Sequence, residues 1–121
     1  MTRVLHFEIV TDDPERTIEF YEKVFGWTIT KWPHGDYWNI RTGDPSEPGI
    51  DGGINRRRNR ESITVNSIYI DDIDKYIELV RTNGGEIVEP KRYITGVGWL
   101  AYFKDTEGIL WAMMQEDQTD T

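Results

Sequence analysis

Shifted by 59 residues, this 121-residue chain overlays itself: HFEIVTDDPERTIEFYEKVFGW falls on VNSIYIDDIDKYIELVRTNGGE. Identities occur at Ile9/Ile68, Asp12/Asp71, Asp13/Asp72, Ile18/Ile77, Glu19/Glu78 and Gly26/Gly85. Six matches in 22 positions exceed the roughly one or two that chance supplies, and their order is physically coherent: apolar strand, Asp-Asp, helix, glycine. Further on, Gly35, Trp38 and Asp44 meet Gly96, Trp99 and Asp105 at offset 61, and Gly49-Ile50 meets Gly108-Ile109 at offset 59. Two copies of one unit of about 55 residues make the chain, so any fold must use the same short list of elements twice.

Each copy can be read in turn. Val4–Val10 is a β-rich run of strand length. Asp13 then stands where a helix N-cap belongs, with Pro14 at the first helical position and Glu15 in the first turn. Thr17, Phe20, Tyr21 and Val24 follow at the spacing of one buried helical face, and Gly26 closes the helix. In copy two Asp72 caps, Ile73, Tyr76, Ile77 and Val80 form the face, and Gly84-Gly85 stops the helix. Three β-like runs follow each helix: Trp27–Pro33, Asp36–Thr42 and Gly49–Arg56, then Glu86–Pro90, Gly98–Lys104 and Gly108–Gln115. The pattern is βαβββ twice, an α+β fold read as a single domain over residues 1–121. Module one spans about 3–56, a join 57–62, module two about 63–116, and 117–121 reads as a loose tail. One helix can cover only one face of its sheet, so two modules are expected to pair their open faces around a ligand-binding cleft.

Composition narrows the partners. With 14 Lys+Arg against 22 Asp+Glu the net charge is −8, which disfavours nucleic acid and anionic membrane surfaces. Arg56, Arg57, Arg58 and Arg60 form the basic cluster at the join, where solvated linker side chains are the expected reading. The absence of cysteine removes disulfides, thiol nucleophiles and zinc ribbons. No 18-residue apolar run and no signal-like N-terminus is present, so a cytoplasmic protein is expected. The glycines of IDGGI and GVGW lack phosphate-loop spacing and mark β-bulges or close strand approach. His34, in Pro33-His34-Gly35-Asp36, reads as a turn residue. No serine has a convincing His and acid to activate it.

The stretches HFEIVTDDPERTIEFYEKVFGW, GDYWNI and GVGWLAYFKDTEGILWAMMQ resemble the vicinal oxygen chelate superfamily of glyoxalase I, extradiol dioxygenases, and fosfomycin- and bleomycin-resistance proteins. That resemblance implies a glyoxalase-like fold, a small-molecule ligand, and pairing of modules within a chain or across a homodimer. It also implies metal ligands on the first and last strand of each module. Carried over, those positions fall on His6 and Gly53 in copy one and on Val65 and Ala112 in copy two. His6 alone keeps a metal-competent side chain, whereas a divalent ion needs three or more imidazole or carboxylate ligands. A register moved by one or two residues brings Asp51 or Asn55 near the last-strand position and Ser67 near the Val65 position. No metal or other cofactor is therefore expected.

Strand alternation puts His6 and Glu8 on one face, about 7 Å apart along the backbone, with Leu5, Phe7 and Ile9 on the other. The pair could anchor a ligand carbonyl or act as general base and proton relay, or be a leftover ligand hydrogen-bonded in a polar wall. Trp38 and Trp99, at matching repeat positions, would form apolar cleft walls if they face inward, and Ala112 and Met114 would extend that lining. His6, Glu8, Trp38, Asn55, Ser67, Trp99, Ala112 and Met114 are the ligand-binding candidates, with His6 and Glu8 the catalytic ones. Two functional classes stand: a metal-free module that sequesters or senses a small organic molecule, or a lyase, isomerase or dioxygenase-type enzyme using His6 and Glu8, with or without a divalent metal.

Overall fold

The computed structural model describes residues 1–57 and 61–117; Arg58 and Arg60 of the basic cluster and residues 118–121 of the expected tail lie outside them. Eight strands and two helices follow the βαβββ order twice: β1 (Arg3–Thr11), α1 (Pro14–Phe25), β2 (Thr28–Lys31), β3 (Tyr37–Arg41), β4 (Asp51–Arg56), then β5 (Ile63–Tyr69), α2 (Ile73–Thr82), β6 (Glu86–Ile94), β7 (Gly98–Lys104) and β8 (Leu110–Glu116). The chain divides into two units, His6–Val65 and residues 66 onward together with Met1–Leu5. No described helix is long and apolar enough to cross a membrane.

Both helices start where the Asp caps predict. The Asp13 carboxylate accepts the Arg16 N–H at 3.2 Å and that of Asp72 accepts the Lys75 N–H at 3.3 Å, each satisfying one of the backbone donors left open at a helix start. In α2 the Gln115 side-chain carbonyl takes a further one, from Ile73 N–H at 2.8 Å. Gly26 ends α1 in the left-handed region at φ 70°, which a side chain would strain.

In the first unit β1 runs parallel to β4, and β4, β3 and β2 are antiparallel neighbours, giving the order β2-β3-β4-β1. In the second unit β5 runs parallel to β8, and the order is β6-β7-β8-β5. β6 runs on past Pro90 to Ile94, farther than its turn-like sequence suggests. It is an edge strand of this order with two register irregularities, where a missing proline N–H is tolerated.

Each helix covers one face of its own sheet. Ile9, Ile40 and Ile54 form the first core, with Phe7, Ile18, Tyr21, Trp27, Ile29 and Trp38 packed on it. Ile70, Ile73, Ile77, Ala101, Phe103 and Met113 form the second. The face expected for α2 is therefore the buried one. That expected for α1 is rotated: Phe20 and Val24 are more than half exposed, and the buried side is carried by Pro14, Ile18 and Tyr21. Tyr21 stacks on Trp27 with ring centroids 4.9 Å apart and planes 6° from parallel, which anchors that side of the helix. Asp117, read as tail, is tied down: its N–H donates to Val97 O at 3.0 Å and its carboxylate accepts the Tyr93 hydroxyl at 2.5 Å.

Candidate functional site

The face of the first sheet away from α1 is polar, and it follows from alternation. Phe7 and Ile9 point to the helix, so His6 and Glu8 point away. Ladder pairing sets Asp51 beside His6, Gly53 beside Glu8 and Asn55 beside Val10, and Tyr37 stands opposite Asn55 on β3. Glu8 is buried, only 6% exposed, and Asn55 donates to its carboxylate from Nδ2 at 3.2 Å. His6 Nε2 lies 2.9 Å from the Tyr37 hydroxyl. Burial pushes the His6 imidazole below its ordinary value of 6.5, and the neighbouring carboxylates Glu8 and Asp51 pull it partly back. Asp51 itself is engaged by Thr42, whose N–H donates to it at 2.9 Å and whose hydroxyl does so at 3.3 Å.

His6, Glu8 and Asn55 are thus brought together. Trp38 is not with them. It sits opposite Ile54 and packs on the helix-side core, with Lys31 Nζ 5.6 Å and the Arg56 guanidinium 5.8 Å from its ring centroid. Trp99 also packs on its helix-side core, under Lys91 Nζ at 4.7 Å. Both therefore depart from the inward-facing arrangement that a lining role requires, because each alternates with the core residues of its strand. Nor are they equivalent in the ladders: Trp38 faces Ile54, whereas Trp99 faces Gln115, two residues beyond Met113, the repeat counterpart of Ile54. In the second unit Ser67 pairs with Ala112 and Tyr69 with Met114, on the face away from α2, and Ser67, Ala112 and Met114 are all buried. That face is predominantly apolar, for Leu100 and Tyr102 pair with Met114 and Ala112.

Tyr37 was the residue hidden behind its neighbour. Its signal is in the sequence: Tyr37-Trp38-Asn39-Ile40-Arg41 has apolar core residues at 38 and 40, which places 37 on the other face. The ring lies over Gly53, where a Cβ would overlap its hydroxyl and ring carbons. The position at which a last-strand metal ligand would fall is thus filled by a phenol from the adjacent strand. The described residues include no group of three or more His, Asp or Glu placed to hold a metal ion. Gly53, Val65 and Ala112 supply no donor, so the side chains present do not fit a divalent ion held by first and last strands. A separate acidic pocket of about 180 Å³ lies in the β3–β4 loop among Thr42, Asp44, Glu47 and Asp51.

Comparison with known proteins decides the family. The model of the Glyoxalase/Bleomycin resistance protein/Dioxygenase superfamily matches residues 3–113. The chain belongs to this superfamily. A lactoylglutathione lyase from Arabidopsis thaliana is 28% identical over 128 aligned positions, covering 97% of this chain and 45% of the plant protein, so the chain spans about half the length of that relative. Among solved structures, methylmalonyl-CoA epimerase from Mycobacterium tuberculosis matches with a TM-score of 0.71 at 16% identity over 95% of this chain and 88% of that one. A Streptomyces coelicolor methylmalonyl-CoA epimerase in complex with 2-nitronate-propionyl-CoA matches with 0.68 at 18% identity, over 98% of this chain and 99% of that one. At these identities the structures establish the superfamily's shared α+β glyoxalase-like fold, and chemistry has to be argued from the residues.

Proposed function

We propose that this superfamily member binds a small organic molecule on the polar face of its first unit, through His6, Tyr37, Glu8 and Asn55, without a divalent metal. The observation that carries the reading is the Tyr37 phenol lying over Gly53 with its hydroxyl 2.9 Å from His6 Nε2. It occupies the volume of a last-strand side chain and engages the one retained imidazole. The ligand class is a carbonyl- or carboxyl-bearing molecule, since an imidazole N–H and the second amide hydrogen of Asn55 can donate to such oxygens. The acyl-CoA ligands of the epimerase neighbours are of that class. Residence in the cytoplasm and homodimerisation belong to the same proposal. For the dimer, the support is the apolar surface left exposed on α1 by Phe20, Val24 and Phe25, and analytical ultracentrifugation reads it.

A second reading, proton transfer on such a ligand in the manner of an isomerase or lyase, is favoured by one further observation. A buried carboxylate, Glu8, stands two residues along the same strand face from an imidazole whose burial favours the neutral form. The lyase and epimerase relatives agree with that class.

Metal analysis of the purified protein, native mass spectrometry for copurifying molecules, and thermal-shift titration with pyruvate, acetoacetate and their thioesters test both readings. We expect no stoichiometric metal, and stabilisation by at least one of these compounds that Asn55→Ala weakens. Stoichiometric metal that is lost in His6→Ala would overturn the metal-free reading. Solvent deuterium incorporated at the carbon next to the carbonyl, abolished in Glu8→Gln, would establish the enzymatic one.

A further inference from the structure

The His6–Tyr37 contact says more than that two polar groups meet. A neutral imidazole has one N–H donor and one lone-pair acceptor, and which nitrogen has which role is set by the bond the ring makes. Phenol is the more acidic of the two partners, which favours a 2.9 Å bond from the Tyr37 O–H to the Nε2 lone pair over the reverse. In a bond of that direction the ring hydrogen sits on Nδ1. No described protein group bonds Nδ1, and no fully buried side-chain nitrogen or oxygen among the described residues lacks a partner, so Nδ1 is reached from solvent. Gly53 makes this possible, because any side chain there would displace the phenol.

We infer that Tyr37 is the positioning residue of this site: it holds His6 in the Nδ1–H form, so that His6 meets a ligand as a hydrogen-bond donor to a carbonyl or carboxylate oxygen. The role toward a ligand rests on the function proposed above; the tautomer needs no ligand. In consequence the basic nitrogen of His6 is committed to Tyr37. Any proton abstraction at this site falls to Glu8, with His6 polarising the oxygen of the bound molecule.

The test is a long-range ¹H–¹⁵N correlation spectrum of the ligand-free protein at mildly alkaline pH, where imidazoles are neutral. The chain has two histidines, so exposed His34 serves as internal reference. We expect a lone-pair-type Nε2 and a protonated-type Nδ1 for His6, and in Tyr37→Phe a shift of His6 toward the opposite pattern with His34 unchanged. A protonated-type Nε2 on His6 in the wild-type protein, or the same His6 pattern in Tyr37→Phe, overturns the inference. The wild-type spectrum decides by itself should the variant fold poorly. Because no ligand is added, failure of the thioester titrations and failure of this inference remain separate results.

Discussion

The two units are built alike on the side facing their helices and unlike on the other. At offset 59 the helix-side pairs are Ile9/Ile68, Ile18/Ile77, Tyr21/Val80 and Ile54/Met113, apolar in every case and all packed in a core. On the opposite faces the pairs are His6/Val65, Glu8/Ser67, Gly53/Ala112 and Asn55/Met114. One copy carries an imidazole, a carboxylate and an amide where the other carries largely apolar side chains. Packing a helix on a sheet tolerates only side chains of similar size and polarity. The opposite face carries no helix of its own unit, and although Glu8, Val65, Ser67, Ala112 and Met114 on it are buried, it is there that the duplicated modules part company and that a site can arise in one of them.

The equivalence of the two cores predicts the largest effects. Ile54→Ala, at a residue with no exposed surface, and Met113→Ala, its counterpart, should each cost about 2–5 kcal/mol in denaturant melts through lost burial and a residual cavity. A cost under about 1 kcal/mol at either position would break the parallel.

Glycine 53 separates the faces more finely. Gly53→Ala drives a methyl into the Tyr37 hydroxyl and should cost about 1–3 kcal/mol by overpacking. In the other copy Ala112→Gly should cost about 0.5–1 kcal/mol, mainly in backbone entropy. Tyr37→Ala in the Gly53→Ala background should recover part of the loss, with a coupling of about 0.5–3 kcal/mol in a double-mutant cycle. Strictly additive losses would mean that Tyr37 is not what Gly53 makes room for.

Much of this was legible in the chain before its structure. The repeat, the Asp-Asp caps and the β runs locate every element, because capping and turn chemistry are local. The face of α1 was not legible from its own spacing: Phe20 and Val24 satisfy the helical period as well as Ile18 and Tyr21 do. The repeat resolves this, since Ile73, Tyr76, Ile77 and Val80 carried back by 59 give Pro14, Thr17, Ile18 and Tyr21, the side observed. At the site, His6 and Glu8 follow from alternation alone. Tyr37 could not be paired with His6 from sequence, because that depends on the register of β3 on β4, a non-local quantity. The caps return the comparison to its similar side. Asp13→Ala and Asp72→Ala should each cost about 1 kcal/mol, with the α2 loss the smaller because Gln115 supplies a second acceptor there.

The smallest effect belongs to the dissimilar side and to one copy only. Burial lowers the pKa of His6, so the folded protein holds that ring neutral at pH values where an unfolded chain protonates it. Below the ordinary value of 6.5 the unfolded state therefore binds more protons, and stability from this group falls as pH drops and rises as pH climbs back. Urea midpoints measured between about pH 5 and 7 should increase with pH, and His6→Gln should flatten that increase. Parallel profiles for wild type and His6→Gln would show that Glu8 and Asp51 offset burial in setting the charge of this ring, and a steeper rise in His6→Gln that they outweigh it. With Val65 at the corresponding position, the second unit has nothing to titrate there. Any pH dependence removed by His6→Gln therefore reports the face on which the two copies differ.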